Sequence, residues 1–527
     1  MRIVTQLVLL LGFPILYLPL IWTTSGKEGK CGYCVAIMAS YWCFELLPVS
    51  VTALIPLIMY PLFDILPAKK VSSKYIGDVS ILVMGGLMFA LAMERTMLHK
   101  RIALATLNCI GTNVRRLLLG FMIVAFFLSM WLMNTATMAL MMTIAKAIID
   151  QLREKSESSK FEMEEEVEDS SKAIRSLEKC LAIGLGFACN VGGTCTPTGT
   201  GPNGVFITIL ESNFGNKTGL NFSTFFIYAA PGALICLIYL WLLLLVMYFP
   251  PWNNLISPQQ SRIISGVIRQ EYKKLQGFTF KESVVLVLFI LLIILWFTRD
   301  PGFMPGYSSF FANTKSISDA SIVILIVIIL FWIPNVDKFT LEGEQGKVDT
   351  ILNWSIVSQK LQWGLILLIG GGLAMVAGIK ESKLDVLMIS KLSDIDVLPR
   401  PIMIFAMITS VGFLTEFTSN TATAILVEGL LAPLSLKLHV NPLFLMFPTV
   451  IACSFAFCMP IATPPNAIAF SQANLKIKHM IKTGIFANLG CFFVAAIMAN
   501  TWGNVVFNMD EFPSWASDKL LNFTEVP

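Results

Sequence analysis

Long apolar runs separated by polar connections fill the chain, and several runs are themselves broken by small polar residues. A membrane helix needs about 20 predominantly apolar residues. Leu7 to Trp22 comes near this at the N-terminus. No small-residue cleavage pattern stands out, so it reads as a first membrane helix and not a removed signal. Cys31 to Leu66 is too long for one straight span and reads as two segments joined between Pro48 and Pro56. Val79 to Met93, Phe225 to Tyr248, Val284 to Phe297, Ile322 to Ile333, Trp363 to Ala377 and Ile485 to Val506 read as further spans. Leu117 to Ile149, Ala182 to Leu210, Pro401 to Leu434 and Pro442 to Phe470 are long and internally broken. Basic pieces lie beside the spans: Leu98-His99-Lys100-Arg101, Arg115-Arg116 and Arg262 to Lys281. They mark a cytoplasmic face. Asp150 to Lys179, rich in Glu and Ser, reads as a mobile loop.

The breaks hold the candidate chemistry. Glu416-Phe417-Thr418-Ser419-Asn420-Thr421-Ala422-Thr423 has a near copy upstream, Trp131-Leu132-Met133-Asn134-Thr135-Ala136-Thr137. Non-helical backbone survives in a membrane only where protein or a wet cavity satisfies it. Two such stretches, one per half, read as a binding site at a repeat interface. The order of landmarks supports a repeat. Gly85 precedes Asn134 by the same 49 positions that separate Gly371 from Asn420. Gly201-Pro202-Asn203 then follows in the first half, and Pro464-Pro465-Asn466 in the second. Repeats with an odd number of spans insert with opposite topology.

Composition narrows the class. Apolar residues make up 55% of the chain, mean hydropathy is +0.72 and only 14% of residues are charged, which no soluble globular domain matches. The net charge of +4 gives no reason to expect a nucleic-acid partner. The cysteines are scattered through apolar segments, and the lone C-x-x-C of Cys31 and Cys34 reads as helix packing. Glu45, Glu94 and Glu416 lie in or beside spans; a cap or a pairing, such as Glu94 with Arg95, is slightly favoured over a functional role. His99, His439 and His479 are too few and too peripheral for a proton relay and read as interfacial. A channel, which would need an open pore lined by repeated polar or charged rings, stays in view; no Ser-His or Asp-Asp arrangement within the spans suggests an intramembrane hydrolase.

Hairpins dipping into the membrane and ending at each Asn-Thr pair present free N–H groups, which favour an anion. Unwound carbonyls and Asn or Ser oxygens suit a bare cation such as Na⁺. Neither polar stretch contains Arg or Lys, so neutral donors, helix ends and cations must hold the anion. The plainer alternative is that Ser, Thr and Asn serve only as packing between membrane helices. The repetition with paired Gly/Pro breaks argues against it.

Several pieces together resemble the divalent anion/sodium symporters, the solute carrier 13 group, over nearly the whole length. They are Tyr41-Trp42-Cys43 with Glu45, Leu98 to Leu104, Arg299-Asp300-Pro301-Gly302-Phe303, Ser419-Asn420-Thr421, Ser454-Phe455-Ala456-Phe457 and Thr463-Pro464-Pro465-Asn466. The resemblance implies an all-α polytopic membrane protein with about eleven membrane helices, two re-entrant hairpins and two inverted repeats, divided into scaffold and transport domains. It also implies a homodimer and elevator-type transport of a divalent anion driven by sodium. Gly199-Thr200-Gly201-Pro202-Asn203 and Thr463-Pro464-Pro465-Asn466 are similar to the carboxylate branch, with citrate, succinate or related intermediates as substrates. A sodium-sulfate symporter is the alternative.

By that resemblance, Asn134, Thr135, Asn420 and Thr421 contact the substrate carboxylates, and Ser419, Thr463 and Pro464 line the same pocket. Ser129, Asn134 and Gly199, with the backbone of Met133, form a first sodium site. Thr415, Thr418, Asn420 and Ala462 form a second. Met133 departs from the Ser of the family's first S-N-T, Thr143 and Gly429 stand where a Pro follows each hairpin, and Glu428 is unexpected in an apolar span. These departures leave open a carrier with altered coupling or one that no longer transports. The expected organisation is N-terminal scaffold helices (1–78), a first repeat (79–249), a basic linker with scaffold helices (250–362), a second repeat (363–510) and an extracellular tail (511–527). A cytoplasmic N-terminus in the plasma membrane then puts the Asn522-Phe523-Thr524 sequon outside, where it is glycosylated, and Asn353-Trp354-Ser355 inside.

Overall fold

The computed structural model describes residues 2–22, 26–110, 113–158, 164–249, 258–275, 277–301, 304–311, 317–335, 349–391, 399–473 and 475–517. These residues are overwhelmingly helical, and the one β-bridge among them joins Pro334 to Thr350. The chain is an all-α polytopic membrane protein. Thr5–Trp22, Phe222–Tyr248, Phe280–Arg299, Trp363–Glu381 and Ile477–Phe507 are long and apolar enough to cross a bilayer. Asp78–Arg95 and Leu98–Ile110 form a bent pair at 67°. The second, basic member turns aside as the amphipathic pattern requires. Its Arg101 meets Glu282 at 2.8 Å in a buried pair and also donates to the carbonyls of Leu275 and Gly277.

Four interrupted elements occupy the middle of the molecule. The first hairpin runs Val114–Ser129, breaks at 130–133, and returns as Asn134–Ser158. The second runs Arg400–Leu414, breaks at 415–419, and returns as Asn420–Lys437. The first split helix is Glu164–Gly193 followed by Gly201–Phe214; the second is Pro442–Ala452 followed by Pro464–Gln472. Pro202, Pro464 and Pro465 explain the restarts, because Pro is tolerated in a helix's first turn and not in its interior. The first stop is a close approach: a Cβ on Gly192 would lie 2.3 Å from the Phe126 carbonyl oxygen of the first hairpin.

The halves interlock. The Gly201–Phe214 segment packs on the returning helix of the second hairpin, and Pro464–Gln472 packs on the returning helix of the first. Asp78–Arg95 lies against Asp319–Trp332, and Phe222–Tyr248 against Ile477–Asn500.

Two sequence expectations are corrected. Most of Asp150 to Lys179 is helix, since the first hairpin continues to Ser158 and the split helix begins at Glu164. Glu, Lys, Gln and Arg propagate a helix already nucleated by the membrane segment, and Arg153 pairs with Glu178 across the two extensions. Glu94 does not take Arg95 as its partner. Arg95 instead grips both oxygens of Asp349 at 2.8 Å and donates to the carbonyls of Thr350 and Ile351. Glu45 is exposed in a left-handed turn after the Lys27–Cys43 helix, and Cys31 and Cys34 are free and buried. His99 is buried, its Nδ1 3.0 Å from the Met93 carbonyl.

Candidate functional site

Each hairpin break faces the break of the split helix in its own half, and the two pairs use the same bonds. In the second half, Thr415 Oγ1 reaches Asn420 Oδ1 at 2.7 Å and the Cys453 carbonyl at 2.9 Å. In the first, Ser129 Oγ reaches Asn134 Oδ1 and, at 2.8 Å, the Cys189 carbonyl. A hydroxyl has one proton and donates to one acceptor at a time. The other acceptor keeps a lone pair turned toward its neighbours, which is the donor set that suits a small hard cation. The split-helix loops match as well. Asn203 Nδ2 donates to the carbonyls of Gly193 and Thr196 at 3.1 and 2.7 Å. Asn466 Nδ2 donates to those of Ala456 and Met459 at 2.7 and 3.1 Å. Both amide oxygens, Asn203 Oδ1 and Asn466 Oδ1, are buried without a partner among the described residues.

The two cups are joined through the middle. Asn190 Nδ2 donates to Thr463 Oγ1 at 3.2 Å, tying the first split helix to the cap of the second. A Cβ on Gly201 would lie 2.4 Å from Thr421 Oγ1, so the first restart sits directly against the second hairpin tip. Four helices therefore begin near one locus, at Asn134, Gly201, Asn420 and Pro464. Their free N–H groups and partial positive ends favour an anion. The hydroxyls of Thr135, Ser419 and Thr421 are half-buried and find no hydrogen-bond partner among the described residues, which leaves them available to a ligand. Thr463 is buried as the cap of its helix, accepting from Asn466 N at 3.3 Å, while Pro464 beside it is exposed.

Other expected residues fit less directly. Thr418 Oγ1 turns to the Leu414 carbonyl at 3.1 Å and to Thr423 Oγ1, within its own hairpin. Ala462 and Gly199 enter as backbone: Ala462 N donates to Met459 O, and Gly199 N to Thr196 O. The Met133 side chain is half-buried, and its carbonyl accepts the first bond of the returning helix from Thr137 N at 3.0 Å. Aligning the hairpins on Asn134 and Asn420 sets Met130, Leu132 and Met133 against Glu416, Thr418 and Ser419. The first cup is the less polar one. Thr137, aligned with Thr423, is correspondingly left buried, its hydroxyl without a partner among the described residues.

Sequence reasoning favoured a structural role for Glu416 without identifying its partners. Its buried carboxylate accepts the backbone N–H of Phe457 at 2.8 Å, Cys458 at 2.9 Å and Met459 at 3.0 Å. It also accepts Asn488 Nδ2 at 2.6 Å. This clamp holds the unwound loop of the second split helix against the second hairpin. Asn190 was missed altogether; an Asn inside an apolar run, just before Gly192-Gly193, was the available clue.

Comparison with known proteins gives a consistent picture. A family profile described as the sodium:sulfate symporter transmembrane region matches residues 2–509. The chain is 37% identical over 559 residues to a Na(+)/citrate cotransporter of Rattus norvegicus, covering 98% of this chain and 97% of the relative. It is 35% identical over 576 residues to Na(+)/dicarboxylate cotransporter 3 of Rattus norvegicus, covering 99% and 96%. A sodium-dependent low-affinity dicarboxylate transporter 1 of Caenorhabditis elegans is 37% identical over 526 residues, covering 94% and 89%.

Proposed function

Because the chain belongs to the sodium:sulfate symporter family, we propose that it is a sodium-coupled symporter of di- and tricarboxylates such as citrate and succinate. The observation that supports this most is the pair of matched cups around one locus of helix N-termini and unpartnered hydroxyls. Asn134, Thr135, Ser419, Asn420, Thr421, Thr463 and Pro464 bind the carboxylates. One Na⁺ sits with Ser129, Met133 O, Asn134 and Gly199, and a second with Thr415, Thr418, Asn420 and Ala462. The cations complete the anion's site, since neither polar stretch offers Lys or Arg. Release of the ions then releases the substrate.

The two hairpins and two split helices form the transport domain and move as one body against the remaining helices, an elevator working within a homodimer. The matching bonds of the two halves support two inverted repeats. The N-terminus is cytoplasmic and the C-terminus extracellular at the plasma membrane. Asn522, which carries the C-terminal sequon, lies outside the described residues. The deciding experiment is uptake of labelled citrate, succinate and sulfate with and without sodium. Sodium-dependent uptake of a carboxylate with inward current is expected, since each excess charge gains about 2.3 kcal/mol per 100 mV. Sulfate uptake that neither succinate nor citrate inhibits would overturn the assignment.

A further inference from the structure

Glu428 lies two turns past Asn420 on the returning helix of the second hairpin, one heptad beyond Thr421 and on the same face. It is 0% exposed, and neither carboxyl oxygen has a hydrogen-bond partner among the described residues. The helices Lys27–Cys43, Gly201–Phe214, Trp363–Glu381, Leu384–Lys391, Arg400–Leu414 and Pro442–Ala452 pack against this one. The thiol of Cys453, capping the last of them, lies within electrostatic reach of Glu428. Cys31 and Cys34, Glu211, Lys380 and Glu381, and Asp385 belong to the same helices and make no ion pair or hydrogen bond with it among the described residues.

An ionised carboxylate without donors in such a place costs several kcal/mol, and a single proton removes most of that cost. The carboxyl also stands on the element that forms the substrate site, and Cys453, its electrostatic neighbour, supplies the carbonyl that Thr415 holds in the second cup. We propose that Glu428 is a proton site of the carrier, loaded and emptied once per transport cycle. The carboxylate takes one proton from water on the side to which the transport domain opens. It crosses as the neutral acid and returns the proton to water on the other side, so one proton accompanies each substrate. The empty domain returns with the carboxylate ionised, so the bare charge crosses on that leg alone and each cycle moves one proton with the substrate. This inference rests on the transport reading above.

The test uses the full-length protein in liposomes with a pH-sensitive dye trapped inside and the membrane potential clamped. Succinate is supplied with a sodium gradient at a pH where it is fully ionised, so that it brings no proton of its own. Wild type is expected to acidify the lumen by one proton per succinate. Glu428→Gln is expected to keep uptake, lose the acidification and move one positive charge fewer per succinate. Wild-type uptake without acidification overturns the inference and leaves the symport reading intact, and this arm decides even if the variant does not fold. Acidification that persists in Glu428→Gln also overturns it. So does a variant that loses one sodium per succinate with no proton involved, which would make Glu428 part of a third cation site. Absence of any sodium-dependent uptake by wild type is a different failure, that of the symport reading itself.

Discussion

Replacing Glu416 tests whether the second cup is held from behind by its carboxylate. Four donors converge on that group: three consecutive backbone N–H groups at 2.8 to 3.0 Å and the Asn488 amide at 2.6 Å. A hydrogen bond to a charged group contributes about 1.5–3 kcal/mol net, and a buried donor left without a partner costs about 1–3 kcal/mol. Glu416→Ala strands all four donors, a loss on the order of 5 kcal/mol or more. Glu416→Gln keeps the shape and one acceptor oxygen but turns an NH₂ toward the remaining donors, for a loss of about 2–4 kcal/mol. The clamped loop contains Ala462 and follows Cys453, so part of this loss is expected at the proposed second ion site. If about 1.4 kcal/mol of it is felt there, the sodium affinity falls tenfold. The assays are thermal melting of the detergent-solubilised protein by size exclusion and a sodium titration of uptake. Glu416→Gln is expected to melt several degrees lower and to need more sodium for half-maximal uptake. A variant with the wild-type melting temperature and sodium curve would show that the clamp supports neither.

Met133→Ser should lower the sodium concentration for half-maximal uptake, because an oxygen replaces a thioether beside a hard cation; identical curves would place position 133 away from the ion. Gly201→Ala should raise the substrate KM several-fold, since its methyl would press on Thr421 Oγ1 at 2.4 Å and on the Leu365 side chain at 2.9 Å; an unchanged KM would refute the contact. Arg101→Met should destabilise by about 3–5 kcal/mol by leaving Glu282 buried and unpaired, read as a lower melting temperature, with partial recovery in Arg101→Met/Glu282→Gln. Asn522→Gln should abolish the endoglycosidase shift of the intact protein; a shift that survives would argue against an external C-terminus as the glycosylated end.

Much of the site was legible because a membrane punishes unpaired polar groups, so Asn134, Asn420, Asn203 and Asn466 stand out against their apolar surroundings. The equal spacing from Gly85 and Gly371 to the two hairpin Asn residues located the breaks, and the structure puts each Asn at the start of a helix. Partners were far less legible. Thr415 and Ser129 hold carbonyls 38 and 60 residues away, and Glu416 grips donors 41 to 72 residues away, distances over which one sequence has no pattern to read. Asp150 to Lys179 misled for a different reason. Its polarity excludes it from the membrane without excluding it from helix, and a long apolar helix can run on into water. Arg95 misled because its immediate neighbour was a carboxylate, whereas its partner Asp349 lies 254 residues on.

The crossed packing of the halves bears on how such a protein can change over generations. The restart at Gly201 presses on Thr421, and Asn190 bonds Thr463, so each half forms part of the wall of the other's cup. A duplicated gene whose copies folded side by side could let one copy decay while the other kept working. Here a replacement at Gly201 or Asn190 bears directly on Thr421 or Thr463 in the other half. The exchange of Glu, Thr and Ser at 416, 418 and 419 for Met, Leu and Met at 130, 132 and 133 is asymmetry that this wiring has tolerated. The second half keeps the polar residues at these positions, and through Asn190 and Thr463 the first leans on its neighbour's.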